Sequence, residues 1–524
     1  MRRATVWTLA ALLLPAAAMA QNPHGPPAAE HEAGNEPSAP PRPPPDQGAD
    51  KTTSHTLALS GRTLAFNATV STLRLANQQG APQADVVVTA FQLANTSPGT
   101  RPVTFAVNGG PGAASAWLNL GAIGPWRVPL GAGSSPSERP ALVDNNETWL
   151  DFTDLVFIDP VTTGYSRILA GGDDARRRML SVNGDIDELA TVARRWLEAN
   201  GRLQSPKFIV GESYGGFRGP KLARALLDDQ GVGIRGLVLV SPVLDFNGRD
   251  GPYDPIRWVG RLPSMAAAAR GAAGRAEMRD VETYAETDYL LDLVRGERDT
   301  AAVARVSARV AALTGLDPAL VRRRAGKVDT GTFARDREPG RVASPYDVTI
   351  SAADPFPEAA NDNSPDAILD ALRGPVTSAM LDLYATRLDW KPGGAPARQY
   401  YLLNEATARE WDYGRSNTRP EVMGAMRQFL ALDPAAHVMV AHGLTDLVTP
   451  YFASKLLLDQ VPDQGLGDRL QLRVYGGGHM FYSRDASRAA LHADAEALVR
   501  AALSAAGPGS PPLTPEPPGG PALR

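Results

Sequence analysis

The sequence predicts an α/β protein: a doubly wound, mostly parallel sheet with antiparallel strands at its N-terminal side and a helical cap insertion. Three observations predict it. Six short apolar runs, VTFAVNGG, LVFIDP, KFIVGES, GLVLVSP, HVMVAHG and LQLRVYGG, each end near Gly, Pro or Asp, as strands buried on both faces do. Ahead of them HTLALSGRTLAFNATVSTLRL and ADVVVTAFQLAN alternate apolar and polar residues, the pattern of antiparallel strands with one wet face. Helical periodicity separates several of the runs, and alternation of strand and helix argues for a parallel sheet.

Taken in order, the chain begins with Arg2 and Arg3, an apolar stretch VWTLAALLLPAAA, and Ala18-Met19-Ala20. This is the grammar of a signal peptide over residues 1–20, with the mature chain starting near Gln21 and exported to the periplasm or the medium. Pro15 and the shortness of the run argue against a retained anchor, so no integral membrane segment is expected after cleavage. Residues 21–54 and 507–524 are crowded with Pro, Gly and Ala and read as a disordered linker and a disordered tail.

The first part of the core is expected over residues 55–247. Within it Ile186, Leu189, Ala193, Trp196 and Leu197 recur at helical spacing, with Asp185 as the expected N-cap and Gly201 as the stop. Residues 248–398 interrupt the alternation and form the expected cap. In it AETDYLLDLVRGE and TAAVARVSARVAALTG read as helices, RDREPGRVASPYDV and PFPEAANDNSP as loops. The strand grammar resumes over 399–506, the second part of the core.

Composition excludes some functions. Charged residues make up 21% and apolar ones 43% of the 524, and the formal charge is −4, so there is no basic footprint for nucleic acid. Arginine runs at 176–178 and 322–324 read as solvated faces. There is no Cys and no H-E-x-x-H, so neither a disulfide nor a metal site is expected. No glycine pattern for a nucleotide phosphate precedes a helix, and no cofactor is implied. Oligomeric state leaves no trace.

The chemistry concentrates in FIVGESYGGFRGP, Phe208 to Pro220. G-x-S-x-G between a buried strand and a helix is a nucleophile elbow, in which small neighbours permit the turn that lifts the serine oxygen. Gly211, Ser213 and Gly215 supply it, so Ser213 is the candidate nucleophile. Its base should be a histidine. Of seven, His24 and His31 fall in the linker, His55 precedes the first expected strand, and His492 sits in a surface helix. His437 and His442 bound one strand and read as packed residues. That leaves His479, on the glycine-rich loop of VYGGGHMFY. In the chain order Ser, acid, His, Asp446 just beyond HVMVAHG is the orienting carboxylate; Asp433, Asp459 and Asp463 are weaker candidates. The oxyanion donors are the N–H of Tyr214, after the nucleophile, and that of Gly110 in AVNGGPG.

Together NGGPG at Asn108 to Gly112, FIDPVTTGYS at Phe157 to Ser166, GESYGGFRGP, Asp446 and GGGHM at Gly476 to Met480 resemble the serine carboxypeptidase family. The resemblance implies an α/β-hydrolase fold, a cap where the insertion lies, and peptides with a free C-terminus as substrates. It also implies that Asn108 and Glu212 bind the substrate's carboxylate, with Glu212 protonated in order to donate. The chain departs from the family at Ala122, where a second Glu is common, at Ala106, where Trp is, and at Ala113, where Cys is. The expected activity is release of C-terminal residues through an acyl-enzyme. An esterase or acyltransferase with the same triad is the alternative, and a non-catalytic binding protein is a third reading. Tyr253, Trp258, Trp390 and Trp411 are candidates to line a substrate pocket.

Overall fold

In the computed structural model, residues 48–505 are described apart from 132–133, 248–250, 252, 360–363, 394–398, 415–419 and 464. The expected signal peptide, most of the linker and the tail lie outside the described residues.

The alternating segments form Lys51–Leu59 (β1), Arg62–Ala76 (β2) and Pro82–Leu93 (β3), paired antiparallel in order. Strand β1 keeps every second residue exposed, as its pattern requires. It starts at Lys51, so residues 51–54, assigned to the linker, are sheet, and His55 lies within the first strand rather than before it. Their polar side chains hid the pairing with β2. The apolar runs become Val103–Val107 (β4), Asp154–Ile158 (β5), Lys207–Glu212 (β6) and Gly236–Val240 (β7). After the cap hairpin of Arg341–Ser344 (β8) and Asp347–Ala353 (β9) come His437–Gly443 (β10) and Leu470–Tyr475 (β11).

Among the described residues the main sheet has ten strands, ordered β1-β2-β3-β5-β4-β6-β7-β10-β11, with the short strand Arg167–Ile168 beside β3. From β5 to β11 every pairing is parallel, and β3 joins β5 antiparallel. Side chains alternate between two cores. Phe208 and Val210 of β6 and Val238 and Val240 of β7 face one, whereas Ile209, Leu237 and Leu239 face the other. Helices Val182–Ala199 (α1), Tyr214–Asp228 (α2) and Met423–Leu432 (α6) cover the second face, and Leu369–Asp382 (α5) and Asp485–Ser504 (α7) cover the first. Helix α1 starts three residues before the expected N-cap: Ser181 caps it, its hydroxyl accepting from Gly184 N–H, and Asp185 is buried inside the first turn. Its carboxylate serves a distant arginine instead of the local backbone.

The cap packs Leu262–Arg270 (α3) and Thr300–Thr314 (α4) around a core of its own that also takes in Leu444 and Leu447 from the loop after β10. Part of RDREPGRVASPYDV, expected as a loop, is the β8–β9 hairpin. Pro339, Gly340 and Pro345 obscured two short strands. The hairpin turn docks on two core loops at once. Tyr346 O accepts from His479 N–H (2.5 Å), Pro345 O accepts from Leu447 N–H (3.0 Å), and Asp347 Oδ1 accepts from Thr445 Oγ1 (2.7 Å). Among the described residues no helix is long and apolar enough to cross a membrane.

A Cβ on Gly478 would stand 2.0 Å from Tyr346 O and 2.4 Å from Asp347 Cβ, so the glycine sets how closely hairpin and loop approach. Gly478→Ala is expected to cost about 1–3 kcal/mol, the usual range for overpacking. Urea unfolding beside Gly274→Ala, a site with open space around it, checks this; equal midpoints would mean the hairpin does not press on this loop.

Candidate active site

Ser213 sits between β6 and α2 with φ 60 and ψ −118. The turn is held from both sides, its N–H donating to Val240 O (2.9 Å) and its carbonyl accepting from Gly216 N–H (3.0 Å) and Val243 N–H (3.2 Å). Close approach explains the glycine two residues on: a Cβ at Gly215 would lie 2.3 Å from Val107 O of β4. Tyr214 opens α2, where an N–H has no intrahelical acceptor.

The loops after β10 and β11 bring Asp446 and His479 together, with Nδ1 of His479 2.7 Å from Asp446 Oδ2 and both residues buried. Asp446 Oδ1 accepts from the N–H groups of Val448 (2.7 Å) and Thr449 (3.0 Å). Thr449 Oγ1, 2.6 Å from Asp446 Oδ2 and 3.1 Å from His479 Nδ1, completes the cluster. Burial works against the Asp446 carboxylate, but His479 and these hydrogen bonds outweigh it and hold Asp446 below its ordinary value. Once Nδ1–H is given to the carboxylate, the neutral ring presents Nε2 as acceptor. The Tyr346 ring stands edge-on to His479 at 5.3 Å, and Ser241 Oγ donates to the His479 carbonyl (2.7 Å).

Glu212, next to the elbow serine, is buried, and burial pushes its carboxyl above the ordinary range despite nearby His479. Its two oxygens accept from Asn108 Nδ2 (2.6 Å) and Tyr482 Oη (2.9 Å). Asn108 is fixed in turn, since its Oδ1 accepts from Leu118 N–H (3.0 Å). Ala122 is buried and offers only a methyl group, and the second hydrogen-bond partner of Glu212 is Tyr482. Gly110 is exposed where the loop turns outward, whereas Gly109 beneath it is buried.

Two of the other histidines lie elsewhere, whereas His442 stands near the Asp446–His479 pair. His437 Nδ1 is 3.0 Å from Ala435 O, and His492 faces Asp151 at 3.3 Å. His442 is buried with Nε2 2.8 Å from Ser454 Oγ, and burial lowers its pKa to about 4. Of the aromatics put forward, Tyr253 is 92% exposed, Trp390 packs with Tyr165 and Tyr384, and Trp258 belongs to the cap core. Trp411 touches the site region, its Nε1 donating to Tyr214 Oη (3.1 Å). Two cavities flank the His479 and Asp446 loops. One of about 40 Å³ is lined by Leu130, Tyr346, Ile350, Leu372 and Met480, and one of about 270 Å³ by Val243, Ile256, Thr449, Pro450 and Leu457.

Sequence reasoning missed Tyr482 and Thr449. They stand three residues after His479 and Asp446 respectively, Tyr482 at the end of VYGGGHMFY, but a hydroxyl at that spacing has no distinctive pattern. Tyr482→Phe removes a hydrogen bond that favours the ionised Glu212, so the Glu212 titration is expected to move to higher pH. Infrared difference titration of the carboxyl band reads this, and an unmoved midpoint would separate the phenol from Glu212.

Residues 90–256 match the family model of the serine carboxypeptidases. Pheromone-processing carboxypeptidase KEX1 of Metarhizium robertsii is 35% identical over 124 residues, 23% of this chain and 18% of that protein. Serine carboxypeptidase-like 45 of Arabidopsis thaliana is 31% identical over 167 residues, 30% of this chain and 33% of that protein. The matched stretch thus spans a third or less of these relatives. Residues 90–256 hold the NGGPG loop and the elbow; Asp446 and His479 lie beyond them. Among solved structures, the prohormone-processing carboxypeptidase Kex1(delta)p of Saccharomyces cerevisiae aligns over 83% of this chain and 91% of its own, with TM-score 0.51 and 15% identity. The fold is that of the α/β-hydrolases.

Proposed function

We propose that this chain, a member of the serine carboxypeptidase family over residues 90–256, is an exported serine carboxypeptidase that removes C-terminal residues from peptides. The observation that carries the reading is Glu212, a buried carboxyl with a raised pKa beside the elbow serine and hydrogen-bonded to Asn108. A hydrolase for uncharged esters has no use for a costly buried acid there; an exopeptidase can use its proton to bind a C-terminal carboxylate.

In this reading Ser213 Oγ attacks the scissile carbonyl while His479 Nε2 takes its proton, and Asp446 keeps the ring in that tautomer and stabilises the imidazolium. The tetrahedral oxygen is received by the N–H groups of Gly110 and Tyr214. His479 then protonates the leaving amine, the C-terminal residue departs, and water attacks the Ser213 ester by the same steps in reverse order. Glu212 and Asn108 hold the substrate carboxylate. Ala122 and Ala106, where the family often has Glu and Trp, leave carboxylate recognition to fewer groups, and the second reading is an esterase or acyltransferase on the same triad.

The sign of the pH effect follows from the raised Glu212 pKa. Below it the carboxyl is neutral and donates; as pH rises through it, two carboxylates face each other and repel. Peptide kcat/KM is therefore expected to fall across that range, while the corresponding C-terminal amide or ester changes less, and Glu212→Gln should flatten the peptide profile. Equal profiles for acid and amide would favour the esterase reading. Asp446→Asn is expected to lower kcat by roughly 10³–10⁴-fold on either substrate, with labelling of Ser213 by a serine-directed phosphonate slowed in parallel.

A further inference from the structure

Behind the elbow lies a fully buried ion pair that the reaction as described does not use. Arg218, in the second turn of α2, has Nε 2.7 Å and Nη2 3.0 Å from the two oxygens of Asp185 in α1. Its remaining nitrogen, Nη1, donates to two successive peptide carbonyls, Asn108 O and Gly109 O (3.4 Å). The guanidinium also lies over the Tyr214 ring, 4.9 Å from its centroid. One side chain therefore grips both strands of the site: the glycine loop through its carbonyls, and the first residue of the elbow helix through its ring.

We propose that Arg218, held by Asp185, is the positioning residue of the oxyanion hole. In a trans peptide the C=O and N–H point in opposite directions. With Gly109 O drawn inward by Arg218, and also accepting from Ala113 N–H (3.1 Å), the Gly110 N–H is turned outward. Burial changes in the same sense, Gly109 being buried and Gly110 exposed. The loop cannot slide off the elbow without loss of contact, because Gly109 packs so closely that a Cβ on it would lie 2.5 Å from Tyr214 N. A charged donor on the Gly109 carbonyl also polarises that peptide, which strengthens its N–H as a donor. Asp185 fixes the guanidinium in a bidentate fork and balances its charge, so the cation is not left unpaired in the interior. A lysine cannot reproduce the arrangement, since it has no planar fork to span a carboxylate and two carbonyls.

The inference rests on the acyl-transfer reading of the site, though not on the peptide specificity. It is tested with the full chain and the variants Arg218→Met, Arg218→Lys and Asp185→Asn, using an activated p-nitrophenyl ester, a blocked dipeptide with a free carboxylate, and a peptidyl boronic acid. The boronate's tetrahedral adduct places an oxygen in the hole, so it reports the donors directly. Active-site concentration is set by phosphonate titration of Ser213, which removes misfolded protein from the comparison. Arg218→Met is expected to lower ester kcat by roughly 10²-fold, the scale of one lost oxyanion donor, with KM little changed and boronate affinity weakened by a similar factor. Arg218→Lys and Asp185→Asn should fall between it and wild type, and they carry the test if Arg218→Met does not fold. A fall in kcat with unchanged boronate affinity, or unchanged kcat in the Lys and Asn variants, overturns the proposal. Wild-type protein that cleaves the ester but not the dipeptide removes the carboxypeptidase reading and leaves this test intact; reaction with neither removes both.

Discussion

The constraint on which the site depends is the left-handed backbone of Ser213. A serine at φ 60 and ψ −118 sits in a sparsely populated region that costs about 1–3 kcal/mol, and such a turn persists only where its surroundings over-determine it. Here they do. Strand β7 receives the Ser213 N–H, the start of the next connection donates to its carbonyl, and Gly215 lies against the β4 carbonyl of Val107. Three neighbouring parallel strands are thus committed to one residue. The strand order β4-β6-β7 places the elbow where both flanking strands can press on it, at the carboxyl ends of the strands where an α/β sheet gathers its ligands.

The residues proposed as partners of the serine come from farther along the chain and have no covalent tie, since the protein contains no cysteine. Their loops are held by the cap. The β8–β9 turn accepts from His479 N–H and Leu447 N–H, Asp347 reaches Thr445 and Arg484, and Leu444 and Leu447 complete the cap's apolar core. The insertion is therefore part of the scaffold that sets the His479–Asp446 distance. The same turn presents Tyr346 to the His479 ring and to the smaller cavity, which joins positioning to the shape of the cleft.

The fold was legible where burial on both faces made a strand an apolar run, as in β4 to β7 and β10, and where alternation marked a wet face, as in β2. It was not legible where a partner far along the chain decides the structure. Asp185 at the head of an apolar helical stripe has the composition of an N-cap, yet its partner is Arg218, and nothing local distinguishes the two roles. The β8–β9 hairpin is polar and punctuated by Pro and Gly, so its strands are set by docking on the His479 loop. Ser213, His479 and Asp446 could be put forward as candidates because each follows a strand in the order the chemistry needs. Tyr482 could not, because a phenol's use depends on which acid it meets in three dimensions.

That phenol changes what Glu212 can do. The family resemblance implies a second glutamate at position 122, sharing a proton with the acid before the nucleophile. With Ala122, both oxygens of Glu212 instead accept from fixed donors, Asn108 Nδ2 and Tyr482 Oη. Burial and the neighbouring Glu212 raise the Tyr482 hydroxyl well above its ordinary value, so it stays protonated across any working range. In the proposed reading Glu212 is the carboxyl held above its ordinary value while Asp446 is held below, and the Glu212 proton is not engaged by a second acid. It can be offered to the substrate's carboxylate as a charge-assisted hydrogen bond. Recognition of the C-terminus then rests on one ionisation, set by the depth at which Glu212 is buried and by the phenol that tempers it.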